Sequence, residues 1–274
     1  MSRAPRRWQV LSTIAIILLA SASSLLGLVW SNHYREDPTR LARWLVQDAI
    51  MLGFAVPVLA VGLWLAKNGS ARGRIVWLGT LAFMTYMWVT YALQLAFNRF
   101  FLGYVTLFAL SLFTLIGGLV QTDARAIHRR VHDSPARPLY GLLLGGIALG
   151  LAALWLSEIV PAVIGGWTPG IVEAFGHQTI DTYVIDLGVV VPGLAITAVW
   201  VYRARPWGSV LAGVMLVFAA VLAPNLTAIT FIDVETGVDL STGMILGTVL
   251  PPVVGVGLAA KFLHDLGNGP EVSG

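Results

Sequence analysis

The chain contains no cysteine. That excludes disulfides, thiolate metal sites, a cysteine nucleophile and cysteine-ligated iron–sulfur clusters. Charge is also scarce, with 11% Asp, Glu, Lys and Arg against about 25% in a soluble domain. So few polar groups cannot cover a water-exposed surface. There is no Walker-type phosphate loop and no HExxH, and no GxSxG. No histidine lies in the middle of an apolar run, which argues against a bis-histidine haem. Basic residues inside the apolar runs are nearly absent, which argues against a voltage sensor. Lys261, near the end of its run, is poorly placed for a buried Schiff base. No cofactor is implied, and no motif specifies catalysis.

What the chain has is length in oil. Hydrophobic residues make up 57% of its 274 positions, and the mean hydropathy is +0.80. Eight stretches, near 9–30, 44–66, 75–97, 100–121, 139–163, 182–202, 207–231 and 242–263, approach the ~20 residues that cross a hydrocarbon core. Backbone groups in lipid must pair internally, so each stretch is expected to be a helix. The short alternating segments of a membrane barrel are absent. The expectation is an all-α membrane protein, a polytopic bundle of about eight transmembrane helices.

Loop charge orients the bundle. With the N-terminus inside, 13 of 17 basic residues fall on the inner side (Arg3, Arg6 and Arg7 among them), leaving Arg35, Arg40, Arg43 and Arg99 outside. Basic residues resist translocation, so both termini are expected inside, in a prokaryotic cytoplasmic membrane. Ten of 14 acids fall at the outer side, including Glu173, Asp233 and Asp239. Trp30, Tyr34, Trp44, Trp167 and Tyr183 at the outer boundary, and Trp8, Trp64, Trp77, Tyr140, Trp200, Tyr202 and Trp207 at the inner one, suit interfacial belts. One alternative is a cleaved signal peptide ending near Ala20-Ser21-Ala22, but the apolar run continues to Trp30.

The basic inner loop 122–138 separates an N-terminal four-helix half, 1–121, from a C-terminal half, 139–274. VPVLAV at 56–61 and VPGLAI at 191–196 suggest two four-helix repeats in parallel orientation, related by an axis along the membrane normal. An acid precedes each motif, Asp48 and Asp186, and RIVWLG at 74–79 and RPWGSVLAG at 205–213 follow. Pro57, Pro192, Pro224, Pro251 and Pro252 are candidate kinks, because proline removes a donor and collides with the preceding turn. The Pro251-Pro252 pair is expected to kink or break its helix.

FNRFFLGYVTLFALSLFTLI at 97–116, LWLSEIVPAV at 154–163, YVIDLGVVVPGLAI at 183–196 and RARPWGSVLAG at 203–213 resemble an uncharacterised group of prokaryotic multi-pass integral membrane proteins. The resemblance spans roughly residues 48–220 and implies a folded polytopic protein. It implies no activity, cofactor or catalytic residue.

Charge within a bilayer is costly, so embedded polar residues need a reason. Asp48, Tyr91, Asn98, Glu158, Asp186 and Asn225 favour the outer half and form a candidate outward polar pocket for a small solute or cation. Tyr91, Gln94 and Asn98 are expected on one helix face, and His177 lies in the loop before helix 6. The competing reading is structural: Asp48 and Asp186 stabilise helix N-termini, and Asn98 caps a turn. His128 and His132 share helical spacing, but neighbouring arginines oppose a metal ion. A basic loop against anionic lipid heads explains them better. Three classes follow. One is a small-solute or cation transporter or binding protein. One is a non-enzymatic scaffold or sensor subunit packed against a membrane partner. The third is a membrane enzyme acting on a lipid or isoprenoid substrate. Nucleic acid is not an expected partner.

Overall fold

A computed structural model describes residues 4–30, 32–170, 172, 180–235 and 242–268. Arg3, Glu173, His177 and Asp239 lie outside the described residues. Among those described there are nine helices and no strand. They are α1 (Arg7–Val29), α2 (Pro38–Ile50, a π turn Met51–Ala55, then Val56–Lys67), α3 (Ala71–Gln94), α4 (Phe101–Val120) and α5 (Ala124–Val131). After these come α6 (Arg137–Gly165), α7 (Asp181–Ile185, a π turn Asp186–Val190, then Val191–Tyr202), α8 (Pro206–Glu235) and α9 (Thr242–Asn268). All but α5 are long and apolar enough to cross a membrane. The chain is an all-α polytopic membrane protein.

Local chemistry sets the boundaries. The α2 helix starts earlier than its apolar run because Asp37 accepts from the Arg40 N–H at 3.1 Å and Pro38 suits a first helical position. Ser70 caps α3 by accepting from the Gly73 N–H at 3.1 Å. Asp123 caps α5 by accepting from the Ala126 N–H at 3.0 Å. The short α5 buries Ala124, Ile127 and Val131 under α8 and α9, and leaves its basic face outward. The bundle therefore has a basic end, with α5 and the turn at 68–70, and an acidic end opposite.

Two stretches, 51–94 and 186–229, follow one backbone course at a constant spacing of 135 positions (186 less 51). The π turns coincide, and so do the segments Val56–Lys67 and Val191–Tyr202. The turns that follow match bond for bond. Asn68, Gly69 and Ser70 donate to Trp64, Ala66 and Leu65, just as Arg203, Ala204 and Arg205 donate to Val199, Val201 and Trp200. Both turns use a left-handed residue, Gly69 at φ +77° and Ala204 at φ +51°. The next helices begin at Ala71 and Pro206. Gly73 lies against Leu65 and Ala66 as Gly208 lies against Trp200 and Val201.

No insertion interrupts 51–94 against 186–229. The acids, however, do not occupy matching places: Asp186 stands opposite Met51, and Asp48 opposite Tyr183. The shared signature is Leu-Gly-x-x-Val-Pro, at 52–57 and 187–192. In each copy the Val N–H donates to the carbonyl five residues back, Met51 or Asp186. The proline then offers no donor to the next carbonyl, so each copy takes up the mismatch as a π turn. The most enclosed spans, α3 and α8, pack together at the centre. A Cβ on Gly79 would fall 2.9 Å from the carbonyl oxygen of Val214, its own counterpart, so the local axis passes here.

The prolines are accommodated within helices. Pro57 and Pro192 each occupy the second position of a segment resuming after a π turn. Pro224 lies inside α8, and Pro251 and Pro252 inside α9, which stays helical through both. Several expected belt residues instead pack inside. Tyr34, Trp44, Trp77, Tyr140 and Tyr183 are buried, while Trp8, Trp64, Trp167 and Tyr202 remain exposed.

Candidate functional site

The first half closes around Asp48. This residue sits about three turns into α2, because the helix starts at Pro38, so the helix N-terminus does not account for it. Its side chain is fully buried. Tyr34 donates to Oδ2 at 2.7 Å and Tyr91 to Oδ1 at 3.1 Å, and the buried Ser24 hydroxyl stands near the carboxylate without a hydrogen-bond partner. Gly27 makes the room: a Cβ there would stand 2.0 Å from Asp48 Oδ2. Around this acid Trp44 meets Tyr91 edge-on at 4.8 Å, and Trp88 packs on Tyr91 at 5.0 Å and stacks on Tyr104 at 6.2 Å. The Tyr104 hydroxyl lies 3.2 Å from His33 Nε2. Burial pushes the His33 imidazole below its ordinary pKa, so the ring is neutral near pH 7. Burial and the neighbouring Asp48 carboxylate push the Tyr34 phenol far up, so it remains a donor.

The second half carries a looser counterpart. Trp155 donates to Asp186 Oδ2 at 2.9 Å, and Tyr183 donates to Glu158 Oε2 at 2.6 Å. The two rings meet edge-on at 5.1 Å. The Tyr86 hydroxyl of α3 reaches across to Asp186, and Gln94 donates to Asp181. Arg43 of α2 pairs with Asp233 of α8 at 2.6 Å. The halves are thus cross-linked at the acidic end from both sides.

The six residues expected to form a pocket therefore fall in four places. Asp48 and Tyr91 touch. Asn98 lies beyond the end of α3, off the face shared by Tyr91 and Gln94. It organises the turn into α4, with Oδ1 accepting from the Phe100 N–H at 2.8 Å, and reaches Tyr104. Glu158 and Asp186 are joined through Tyr183 and Trp155. Asn225 stands apart, its Nδ2 3.4 Å from Met87 Sδ. Tyr34 belongs by its sequence position to the interfacial belt, and Ser24, Gly27, His33, Tyr104, Tyr86 and Trp155 carry no site signal in the sequence. Several are aromatics with interfacial spacing, and only chain folding reveals that they turn inward.

His128 and His132 lie 4.7 Å apart, ring centre to ring centre, and each is engaged by another side chain. His128 Nδ1 bonds Ser209 Oγ at 2.8 Å. Burial, then the nearby His132 and Arg137, depress its pKa. Among the described residues no cluster of three or more His, Asp or Glu side chains is placed to hold a metal.

A second feature is a cavity of about 810 Å³ between α2, α3, α8 and α9. It runs from Val46 and Ile232 near the acidic end to Val76 and Leu263 toward the basic end, past Phe54, Ala220, Ala228 and Val256. Thr227 supplies its one side-chain hydroxyl. Phe54, Phe231, Val253 and Val256 are exposed on the outside of the bundle, so the cavity opens sideways at membrane depth. At its acidic rim is the Arg43–Asp233 pair. At the other end Arg72 donates to the Leu263 and His264 carbonyls at 2.7 and 3.1 Å. No family model, curated protein or solved structure matches this chain.

Proposed function

We propose that this integral membrane protein binds the apolar chain of a lipid or isoprenoid in the groove between α2, α3, α8 and α9. The observation that carries this reading is the groove itself. It is built by both halves, is lined almost wholly by apolar side chains, and opens sideways where only hydrocarbon is available to enter. Its volume suits a ligand of moderate size. Its ends lie beside charged groups, as a chain bearing a polar head requires. The orientation used is the one that places both termini inside a prokaryotic cytoplasmic membrane, with the acidic end outward.

The test is photo-crosslinking in nanodiscs with a diazirine-bearing fatty acyl phosphate and a diazirine-bearing isoprenyl phosphate. Labelling is expected on α8 and α9 and is expected to fall severalfold in Ala220→Trp and Ala228→Trp. Equal labelling of α6, whose Leu142, Leu149 and Val163 are openly exposed, would reduce the groove to ordinary lipid contact.

A second reading is carriage of a small solute or cation. The duplicated halves favour it, with a π turn and a proline at equivalent places in α2 and α7, a pattern met in parallel-repeat transporters. It gives the acids a common task, whereas their side chains are engaged in separate groups. Proteoliposomes that show no counterflow of radioactive sodium would remove the cation form of this reading, and counterflow that survives neutralisation of Asp186 and Glu158 would keep it but take those acids out of the path.

A further inference from the structure

The Asp48 enclosure is not needed to hold a lipid chain, and its chemistry is unusual. Every element packed against this carboxylate supplies hydroxyls, rings or neutral groups. The α1 helix brings Ser23, Ser24 and Gly27, the loop that follows brings His33 and Tyr34, and α3 brings Trp88 and Tyr91. Trp44 comes from α2, Tyr104 from α4 and Asn98 from the turn before it. None of these is a lysine or arginine. Arg99 at the same end lies over the Trp30 ring, 5.2 Å from its centroid, and Arg43 is committed to Asp233. A bare carboxylate in this setting would lack a counter-charge, at a cost of several kcal/mol.

Four buried polar atoms around the acid lack a protein partner among the described residues. They are Ser23 Oγ, Ser24 Oγ, His33 Nδ1 and Trp88 Nε1, and His33 is 1% exposed and Trp88 0%. Buried polar atoms of this kind are satisfied by internal water.

We propose that Asp48, with the hydroxyls of Tyr34 and Tyr91, is a proton-binding site served by internal water at Ser24, His33 and Trp88. The carboxylate takes one proton from water at the acidic end and becomes a neutral acid. One of its oxygens then donates to Ser24 or to water, while the other continues to accept from a tyrosine. Release returns the proton to water and leaves the carboxylate on its two tyrosine hydroxyl donors. The chemistry is a bare proton transfer and needs no redox partner.

Infrared difference spectroscopy of the full chain in nanodiscs tests this. A carbonyl stretch of a protonated carboxylic acid is expected near neutral pH. It should vanish in Asp48→Asn and move to higher frequency in Tyr34→Phe, which removes one hydrogen bond but keeps the acid. The Tyr34→Phe shift decides the matter if Asp48→Asn fails to fold. A spectrum without such a band, or a band indifferent to both substitutions, overturns the proposal. A band abolished by exchanging choline for sodium also overturns it, since the occupant would then be a metal cation.

Discussion

The two halves follow the same backbone from 51 to 94 and from 186 to 229, yet their interiors differ. Where α3 carries Trp77, Trp88 and Tyr91, the matching positions of α8 carry Ala212, Ala223 and Leu226. The first half spends Trp88 and Tyr91 sealing Asp48 among aromatic rings, and Trp77 fills the bundle nearer the basic end, where it donates to Thr13. The second half, built from alanines at 220, 223 and 228, leaves space, and the groove occupies it. One backbone thus supports a closed polar chamber and an open apolar cleft, and side-chain volume decides between them. Trp88→Ala sharpens this contrast most. Removing a fully buried indole costs about 4 kcal/mol and should appear as a large loss of thermal stability in nanodiscs. Ala223→Leu, at the matching position, extends into the groove and should cost no more than about 1 kcal/mol. Equal losses would mean that the two sites are packed alike.

The shared backbone makes the opposite kind of prediction, that matched positions respond alike. Gly73 and Gly208 each let a helix approach the preceding one. An added Cβ would lie 2.2 Å from the Leu65 Cβ in one half and 2.5 Å from the Trp200 carbonyl carbon in the other. Neither the backbone nor a side-chain base can yield cheaply. Gly73→Ala and Gly208→Ala should each destabilise by about 3 kcal/mol, read by steric trapping or thermal unfolding. A difference greater than about 1 kcal/mol between them would break the duplication as an energetic statement, even with the backbones superimposable.

Polar partners should separate the halves again, by less. Tyr91→Phe leaves an oxygen of the enclosed Asp48 without its donor, and should cost about 2 kcal/mol. Tyr183→Phe removes the donor from Glu158, which is only partly buried. Water and headgroups can replace it, so the cost should be about 0.5 kcal/mol. Comparable costs would place Glu158 in as dry a site as Asp48.

The spans were legible because twenty-residue apolar runs have one solution in lipid, and the helices reproduce them to within a few residues. The start of α2 moved because Asp37-Pro38 is a capping signal that an apolar window ignores. The duplication was half visible in Val-Pro at 56–57 and 191–192. Its register was obscured by matching acid to acid, since Asp48 lies eight residues before its valine and Asp186 only five. Leu-Gly at 52–53 and 187–188 was the better guide, because a π turn forced by the following proline constrains the backbone more than a carboxylate does. The partners of Asp48 were not legible. Gly27 carries no chemical label, and Tyr34 lies in a loop that folds back over the acid. The groove was illegible for a related reason: alanines on α8 signify a void only when the neighbouring helices fail to fill it.

The smallest effect concerns the turn that both halves share. Gly69 and Ala204 hold the same left-handed place after α2 and α7, at φ +77° and +51°, between identical sets of backbone bonds. Glycine adopts this region freely, whereas alanine places its Cβ against the following carbonyl at a cost of about 1 kcal/mol. Ala204→Gly relieves that strain, and part of the gain is returned as extra freedom in the unfolded chain. The net expectation is a stabilisation of about 0.5 kcal/mol, with Gly69→Ala destabilising by about 1 kcal/mol, both read as shifts in thermal midpoint in one detergent. The signs carry the argument more than the sizes. Two copies of one turn should exchange residues with opposite outcomes, and a loss of stability in Ala204→Gly would mean that the second turn is held by its alanine side chain and not by the backbone course it shares with the first.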